Sequence, residues 1–131
     1  MSDISEIKVI ERTIEIVHPA TKAPLGIDVV LMSPRDPRLD KLRKQISQQQ
    51  ISAQSKGRVE KVDELKARRH KILFAAIISW TWKGDANWKG EKPDLTPRIF
   101  GEIAEEAEWF IDQIDEAFGD LESFFTMPET I

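Results

Sequence analysis

The chain has 131 residues, 40% hydrophobic and 32% charged, with no cysteine and a formal net charge of -4. That length suits one core rather than two, the apolar content excludes a wholly disordered chain, and the lack of cysteine removes disulfides, thiolate chemistry and cysteine-bound zinc. The opening MSDISEIKVIERTIEIV shows no basic start followed by an apolar stretch, and the longest apolar run, 72–82, is short and interrupted by Ser79 and Thr81, so a soluble protein of the cell interior is expected.

The first expected element is a β-hairpin over residues 7–33. IKVIERTIEIV (7–17) sets Val9, Glu11, Thr13, Glu15 and Val17 on one parity and Ile10, Arg12, Ile14 and Ile16 on the other, a half-buried strand rich in β-branched residues. HPATKAPLG (18–26) is dense in turn formers, and IDVVLMS (27–33) reads as the second strand. A hairpin alone is marginal, so this one should lie on helices or pair with a partner's strands.

A helix is expected over 36–55, with Asp36 as N-cap, Pro37 at the first helical position and Asp40 in the first turn. Its apolar stripe of Leu39, Leu42 and Ile46 is thin, which leaves it largely exposed or completed by another chain. Gly57 should break it. The strongest helical pattern follows over 58–83, where Val59, Val62, Leu65, Ile72, Leu73, Ala76, Ile77 and Trp80 recur mostly at threes and fours, with Gly84 as the stop. Thr96-Pro97 starts a third helix, 97–118, whose broad apolar face runs from Phe100 through Ile103, Ala107, Phe110, Ile111 and Ile114 to Phe118. Gly119 should end it, a short helix over 120–125 should follow, and the closing MPETI should fray. The expected fold class is α+β: a single domain with an N-terminal β-hairpin packed with three main α-helices and a short C-terminal helix.

Charge is polarised along the chain. Residues 35–71 carry 12 basic and 5 acidic side chains, a balance of +7, whereas residues 85–131 carry 3 basic and 13 acidic, a balance of -10. A basic segment can hold nucleic acid through its phosphates. This one has no Phe, Trp or Tyr to stack bases, so mutual pairing of two complementary faces, within the fold or between subunits, is the preferred reading.

Catalytic and metal chemistry are sought without success. In an EF-hand count from Asp85, Asn87 and Gly90 fall correctly at positions 3 and 6, but Lys89 stands at position 5 and Thr96 at position 12, where calcium needs oxygen ligands. His18 and His70 are the only histidines, neither with a second nitrogen ligand at useful spacing, and both read as surface or capping residues. The carboxylates between Glu102 and Glu116 lie mostly off the apolar stripe, and no phosphate loop, nucleophile elbow or Ser/His/Asp pattern is present. No enzyme, metal or cofactor is expected. What stands out is ISWTWKGDANWKGEKPDLTP (77–96), with three of the four tryptophans. Trp80 continues the helical stripe and reads as core, while Trp82 and Trp88 are equally suited to packing on the hairpin and to meeting a partner.

The order of these parts resembles a known family. A hairpin containing HPATKAPLGIDVVLMSPRDPR leads to a basic helix, then ILFAAIISWTWKGD and a short polar loop, and the chain closes with DLTPRIFGEIAEEAEWFIDQIDEAFGDLESFF. This is similar to the tail assembly chaperones of long-tailed, lambda-like bacteriophages. In these, a Trp-containing stretch ends in glycine and a Thr/Ser-Pro helix start follows. Next come a Trp-Ile/Phe…Gln pattern (here Trp109, Phe110, Gln113) and an Asp…Phe-Phe finish (here Asp120, Phe124, Phe125). The resemblance, over about residues 13–125, implies a non-enzymatic protein that binds the aggregation-prone tape measure protein and keeps it soluble during tail tube assembly. It implies action in the host cell cytoplasm, absence from the mature virion, and in many members a longer frameshifted form that recruits the tail tube protein. The candidate partner-binding residues are Trp82, Trp88, Trp109, Phe124 and Phe125. The thin first helix, the charge asymmetry and the exposed hairpin add an expected homo-oligomer. The alternative is a nucleic-acid-binding accessory protein that uses the basic segment 35–71.

Overall fold

The computed structural model describes residues 11–55 and 62–126, with the side chains of 53–55, Asp63 and 124–126 left outside the description. Seven elements follow one another: β1 (Arg12–Val17), β2 (Pro24–Leu31), α1 (Pro37–Ser55), α2 (Val62–Ala76), β3 (Ile77–Trp82), α3 (Pro97–Glu106) and α4 (Glu108–Thr126). The class is α+β, built on a three-stranded antiparallel sheet in the order β1-β2-β3 rather than on a hairpin alone.

The hairpin forms as its alternation requires. In β1 the parity of Ile14 and Ile16 turns inward and Thr13 and Glu15 stay exposed, while Ile27, Val29 and Leu31 are the buried set of β2. The connection is closed by His18, whose Nδ1 accepts from the amides of Ala20 (3.1 Å) and Thr21 (3.2 Å). Gly26 makes the bulge that lets β2 meet both neighbours. Its φ is +79°, its carbonyl accepts from Lys83 N at 2.7 Å, and a Cβ there would stand 3.0 Å from Lys83 O.

Three expected boundaries need correction. The expected helix 58–83 ends at Ala76, and residues 77–82 run straight on as a strand. The segment IISWTW is β-branched and aromatic, and its second period is two: Ile78, Trp80 and Trp82 face the helices while Ser79 and Thr81 are exposed. The expected helix 97–118 is two helices. Ala107 leaves helical geometry (φ -139°, ψ 58°) although no Gly or Pro marks the spot, and α4 sets off on a new axis so that Phe100 and Ile103 of α3 and Phe110, Ile111 and Ile114 of α4 all reach one core. Gly119 does not end a helix, because buried Ala117, Phe118 and Leu121 carry α4 through it, so the expected short helix 120–125 is the last part of α4.

Both expected helix starts are present. Asp36 Oδ1 accepts from Arg38 N at 2.9 Å with Pro37 as the first helical residue, and Thr96 Oγ1 accepts from Ile99 N at 3.2 Å ahead of Pro97. The side chain of Arg38 also donates to Asp36, and these bonds hold its carboxyl below the ordinary aspartate value. The α1 helix is as thinly packed as its sequence implies, with Leu39 and Ile46 buried and Ile51 64% exposed. Val62 and Leu65, expected on the apolar stripe of the next helix, are exposed at its start, and the first fully buried apolar residue of α2 is Leu73. Expectations for residues 7–10, Gly57, Val59 and MPETI fall outside the described residues.

The result is two layers. One sheet face carries Ile14, Ile16, Ile27, Val29, Trp80 and Trp82 against α2, α3 and α4, and the other presents Thr13, Glu15, Asp28, Ser79 and Thr81. The polarity of charge is satisfied across the helical layer. Lys66 of α2 reaches Glu108 at 2.5 Å, Arg69 reaches Asp115 at 2.7 Å and Glu122 at 2.8 Å, and Arg43 of α1 meets Glu122 at 3.5 Å. The basic segment therefore presents part of its charge to α4. No helix among the described residues is long and apolar enough to cross a membrane.

Candidate partner-binding cleft

The tryptophan stretch is spread over two structures with different tasks. Trp80 and Trp82 belong to β3, where the alternation turns both toward α4. Trp82 stacks on Phe110 with ring centroids 5.8 Å apart and planes at 16°, and Trp80 stands edge-on to both, 5.6 Å from Trp82 and 6.2 Å from Phe110. Trp80 is half-buried and its Nε1 donates to Pro93 O at 3.0 Å, in keeping with its expected place in the core. Trp82 is 8% exposed, so of its two open readings burial holds. Its Nε1 is buried with no hydrogen-bond partner among the described residues, an arrangement that costs about 1–3 kcal/mol and that folds keep at few places.

Trp88 sits in the loop 83–96, which its own side chains shape. Trp88 and Glu91 exchange backbone hydrogen bonds (2.7 and 3.1 Å) around Lys89 (φ 52°) and Gly90 (φ 88°), a two-residue turn with both central residues left-handed. Asn87 closes the turn before it, donating Nδ2 to Asp85 O and accepting Gly90 N at Oδ1, both at 2.9 Å. The residue that organises the loop is Lys92, which the sequence reading passed over. Its ammonium donates to the carbonyls of Trp82 (2.9 Å), Gly84 (3.0 Å) and Ala86 (3.1 Å). Three converging carbonyls are what a cation site would use. Here a lysine head fills that place, ten residues after the first carbonyl, a spacing that no local motif signals.

Glu102 of α3 fastens the loop to the helical layer. Its carboxylate accepts from Lys89 Nζ (3.1 Å), Trp88 Nε1 (3.4 Å) and Arg98 Nη1 (3.1 Å), and Lys89 reaches on to Glu106 (2.7 Å). The hydrogen bonds from Lys89 and then Trp88 hold the Glu102 carboxyl below the ordinary glutamate value, and Glu106 and Glu102 in turn raise the Lys89 ammonium above its own. The indole of Trp88 is thereby a fixed partition. On one side lies a polar hollow of about 430 Å³ that includes Lys89, Glu91, Asp94 and Arg98. On the other lies an apolar cleft of about 470 Å³.

This apolar cleft brings together Trp82, Trp88 and Trp109, three of the five residues singled out in the sequence. Pro24, Leu25 and Ile27 of β2 line it together with Phe110 and Ala107, and Asp85 and Asn87 are the polar members. Gly26 stands between Leu25 and Ile27 at the bulge of β2, Trp109 follows the break at Ala107 by two residues, and Trp88 is tied to Glu102 through its Nε1. Trp109 is half-buried, 6.1 Å from the Phe110 ring, and its indole N–H has no partner among the described residues. Phe124 and Phe125 belong to the last turn of α4, and their side chains are outside the description.

The remaining candidates fall elsewhere. His18 caps a turn and His70 packs edge-on to Phe100 at 6.1 Å, and among the described residues no group of three His, Asp or Glu is placed to hold a metal. No family model, no curated protein and no solved structure matches the chain.

Proposed function

We propose that the chain is a non-enzymatic binding protein, a phage tail assembly chaperone that holds the tape measure protein soluble during tail tube assembly. The observation that carries this reading is the apolar cleft of about 470 Å³ framed by Trp82, Trp88 and Trp109. Its size lies within the roughly 300–1,000 Å³ range of ligand clefts, and its make-up is that of an anchor pocket, aromatic and aliphatic inside with Asp85 and Asn87 as the polar part. An amphipathic client helix would seat one or two large apolar side chains there and set polar neighbours against the rim. The order of motifs along the chain supports the family. The same reading places the protein in the host cell cytoplasm, outside the mature virion, as a homo-oligomer, with a frameshifted longer form recruiting the tail tube protein. A nucleic-acid role for segment 35–71 has less support, since Arg43, Lys66 and Arg69 already face carboxylates of α4.

The test is co-expression with the tape measure protein that this reading expects to be encoded beside the chain, read by client solubility and co-purification. Trp109→Ala is the informative variant, because Trp109 is half-buried, whereas Trp82 stacks in the core and its removal confuses folding with binding. Loss of client capture by a well-folded Trp109→Ala protein is the expected result. A client that never co-purifies with the unaltered chain would sink the reading.

A further inference from the structure

The two spaces that Trp88 divides differ in charge. The polar hollow is balanced, with Lys89, Lys92 and Arg98 set against Glu91, Asp94 and Glu102. Among the described residues the apolar cleft has a single ionised side chain on its lining, Asp85, and no basic one. Asp85 is exposed, and its carboxylate has no hydrogen-bond or ionic partner among the described residues. Asp112, three residues after Trp109 and so on the same side of α4, is likewise exposed and without an ionic partner among them. Trp88 lines both spaces. Lys89, which stands 5.5 Å from the centre of its ring, lines only the hollow, so among the described residues no cation lines the cleft side of the indole. Indole faces carry negative potential, and beside an unpaired carboxylate they favour a cation with an apolar stem.

We propose that the occupant of the cleft is a cationic amphipathic helix of the client, which sets an arginine beside its apolar anchor. The arginine stem packs along Trp88 and Trp109, and its guanidinium pairs with Asp85. This rests on the client-binding reading of the cleft and names the chemistry that the cleft selects. Arginine suits it better than lysine, because a planar guanidinium stacks on an indole while it donates to a carboxylate. The apolar anchor comes from a position three or four residues along the client helix, since residues so spaced share a face. An acidic helix is refused: it would bring a carboxylate against Asp85 with no cation on the described lining to receive it. A nucleic-acid phosphate is refused for the same reason.

The test measures the binding of two labelled synthetic helices to the full chain by fluorescence anisotropy. One is an acetylated, amidated amphipathic peptide of Leu, Ala and Arg, and the other has Glu in place of every Arg. The Arg helix should bind the more tightly, and Trp109→Ala should abolish its binding. Asp85→Asn should weaken it by about fivefold, whereas Asp40→Asn, the same change of charge on α1, should leave it as it was. Asp85→Lys should turn the preference toward the Glu helix. The Asp85 carboxylate makes no bond within the described fold, so circular dichroism should find both loop variants folded like the parent. Equal binding of the two helices, or equal losses in Asp85→Asn and Asp40→Asn, would overturn the charge selection. If Trp109→Ala still abolishes binding in that case, the cleft reading itself survives. Binding that Trp109→Ala leaves intact would overturn both. Binding of neither helix by a chain that captures its client would overturn the selection alone. Binding that appears only as a self-associated chain dissociates on dilution would give the cleft to a second copy and overturn the proposal.

Discussion

Lys92 is one of three residues that set the candidate cleft without being prominent in the sequence. Its ammonium gathers the carbonyls of residues 82, 84 and 86, so Lys92→Met should lower stability by about 1 kcal/mol, an allowance for partly solvated charge-assisted bonds. The tryptophan emission should shift to the red as the loop loosens. An unchanged urea midpoint would show that the clamp is incidental. Gly26 is the second. With φ +79° and Lys83 O 3.0 Å from a Cβ, Gly26→Ala should cost about 1–2 kcal/mol, read from the same denaturation curve. Glu102 is the third. Its carboxyl is held down by Lys89 and Trp88, so the tie between loop and α3 contributes fully above the ordinary glutamate value of 4.5 and is lost as pH falls through the lower folded value. Tryptophan fluorescence should therefore show an acid transition below about pH 4.5 that Glu102→Gln removes. A transition that survives the substitution must belong to another group.

At the scale of elements, the departures from expectation share one cause, that tertiary contacts outweigh local signals. Gly119 reads as a stop in the sequence, yet α4 continues through it, and Gly101 sits inside α3. A Cβ at either position meets nothing within 4 Å, and neither has positive φ. Gly101→Ala and Gly119→Ala should each stabilise by about 0.5–1 kcal/mol, so thermal unfolding of the double variant should occur several degrees higher. No rise would mean that helix propensity at these two positions does not limit the stability of the fold. The opposite case is Ala107, the best helix former at the place where the helix breaks. Segment 77–82 shows the same competition: its residues satisfy a helical spacing through Ile77 and Trp80 and a strand spacing through Ile78, Trp80 and Trp82. The open backbone of β2 decides for the strand, since it needs a partner on the side away from β1.

Across the whole molecule, part of the charge polarity of the chain is met within the fold. The basic residues of α1 and α2 and the acidic residues of α4 meet in a row of ion pairs at the layer surface, with Arg69 also 5.4 Å above the Phe118 ring. Each pair at such exposure contributes about 0–1 kcal/mol, so their joint effect is alignment of α2 on α4 rather than large stability. The expected outcome of a DNA titration by fluorescence anisotropy is no binding even at low salt. Binding that falls steeply as salt rises would return the basic segment to the front.

Composition, parity and caps determined a good part of this protein by themselves. The mixed class, the first hairpin, the two capped helix starts and the thinness of α1 are all legible, because each rests on a local rule of spacing or hydrogen bonding. The third strand, the break at Ala107, the passage through Gly119 and the Lys92 clamp were decided only in three dimensions. Each trades a local preference for a contact with residues distant in the chain, and no window of sequence contains both sides of that exchange. The same holds for the cleft. Trp82, Trp88 and Trp109 are visible as large aromatics, but whether an indole fills a core or faces a partner depends on what packs behind it, and that is set by the sheet and by the turn of α4.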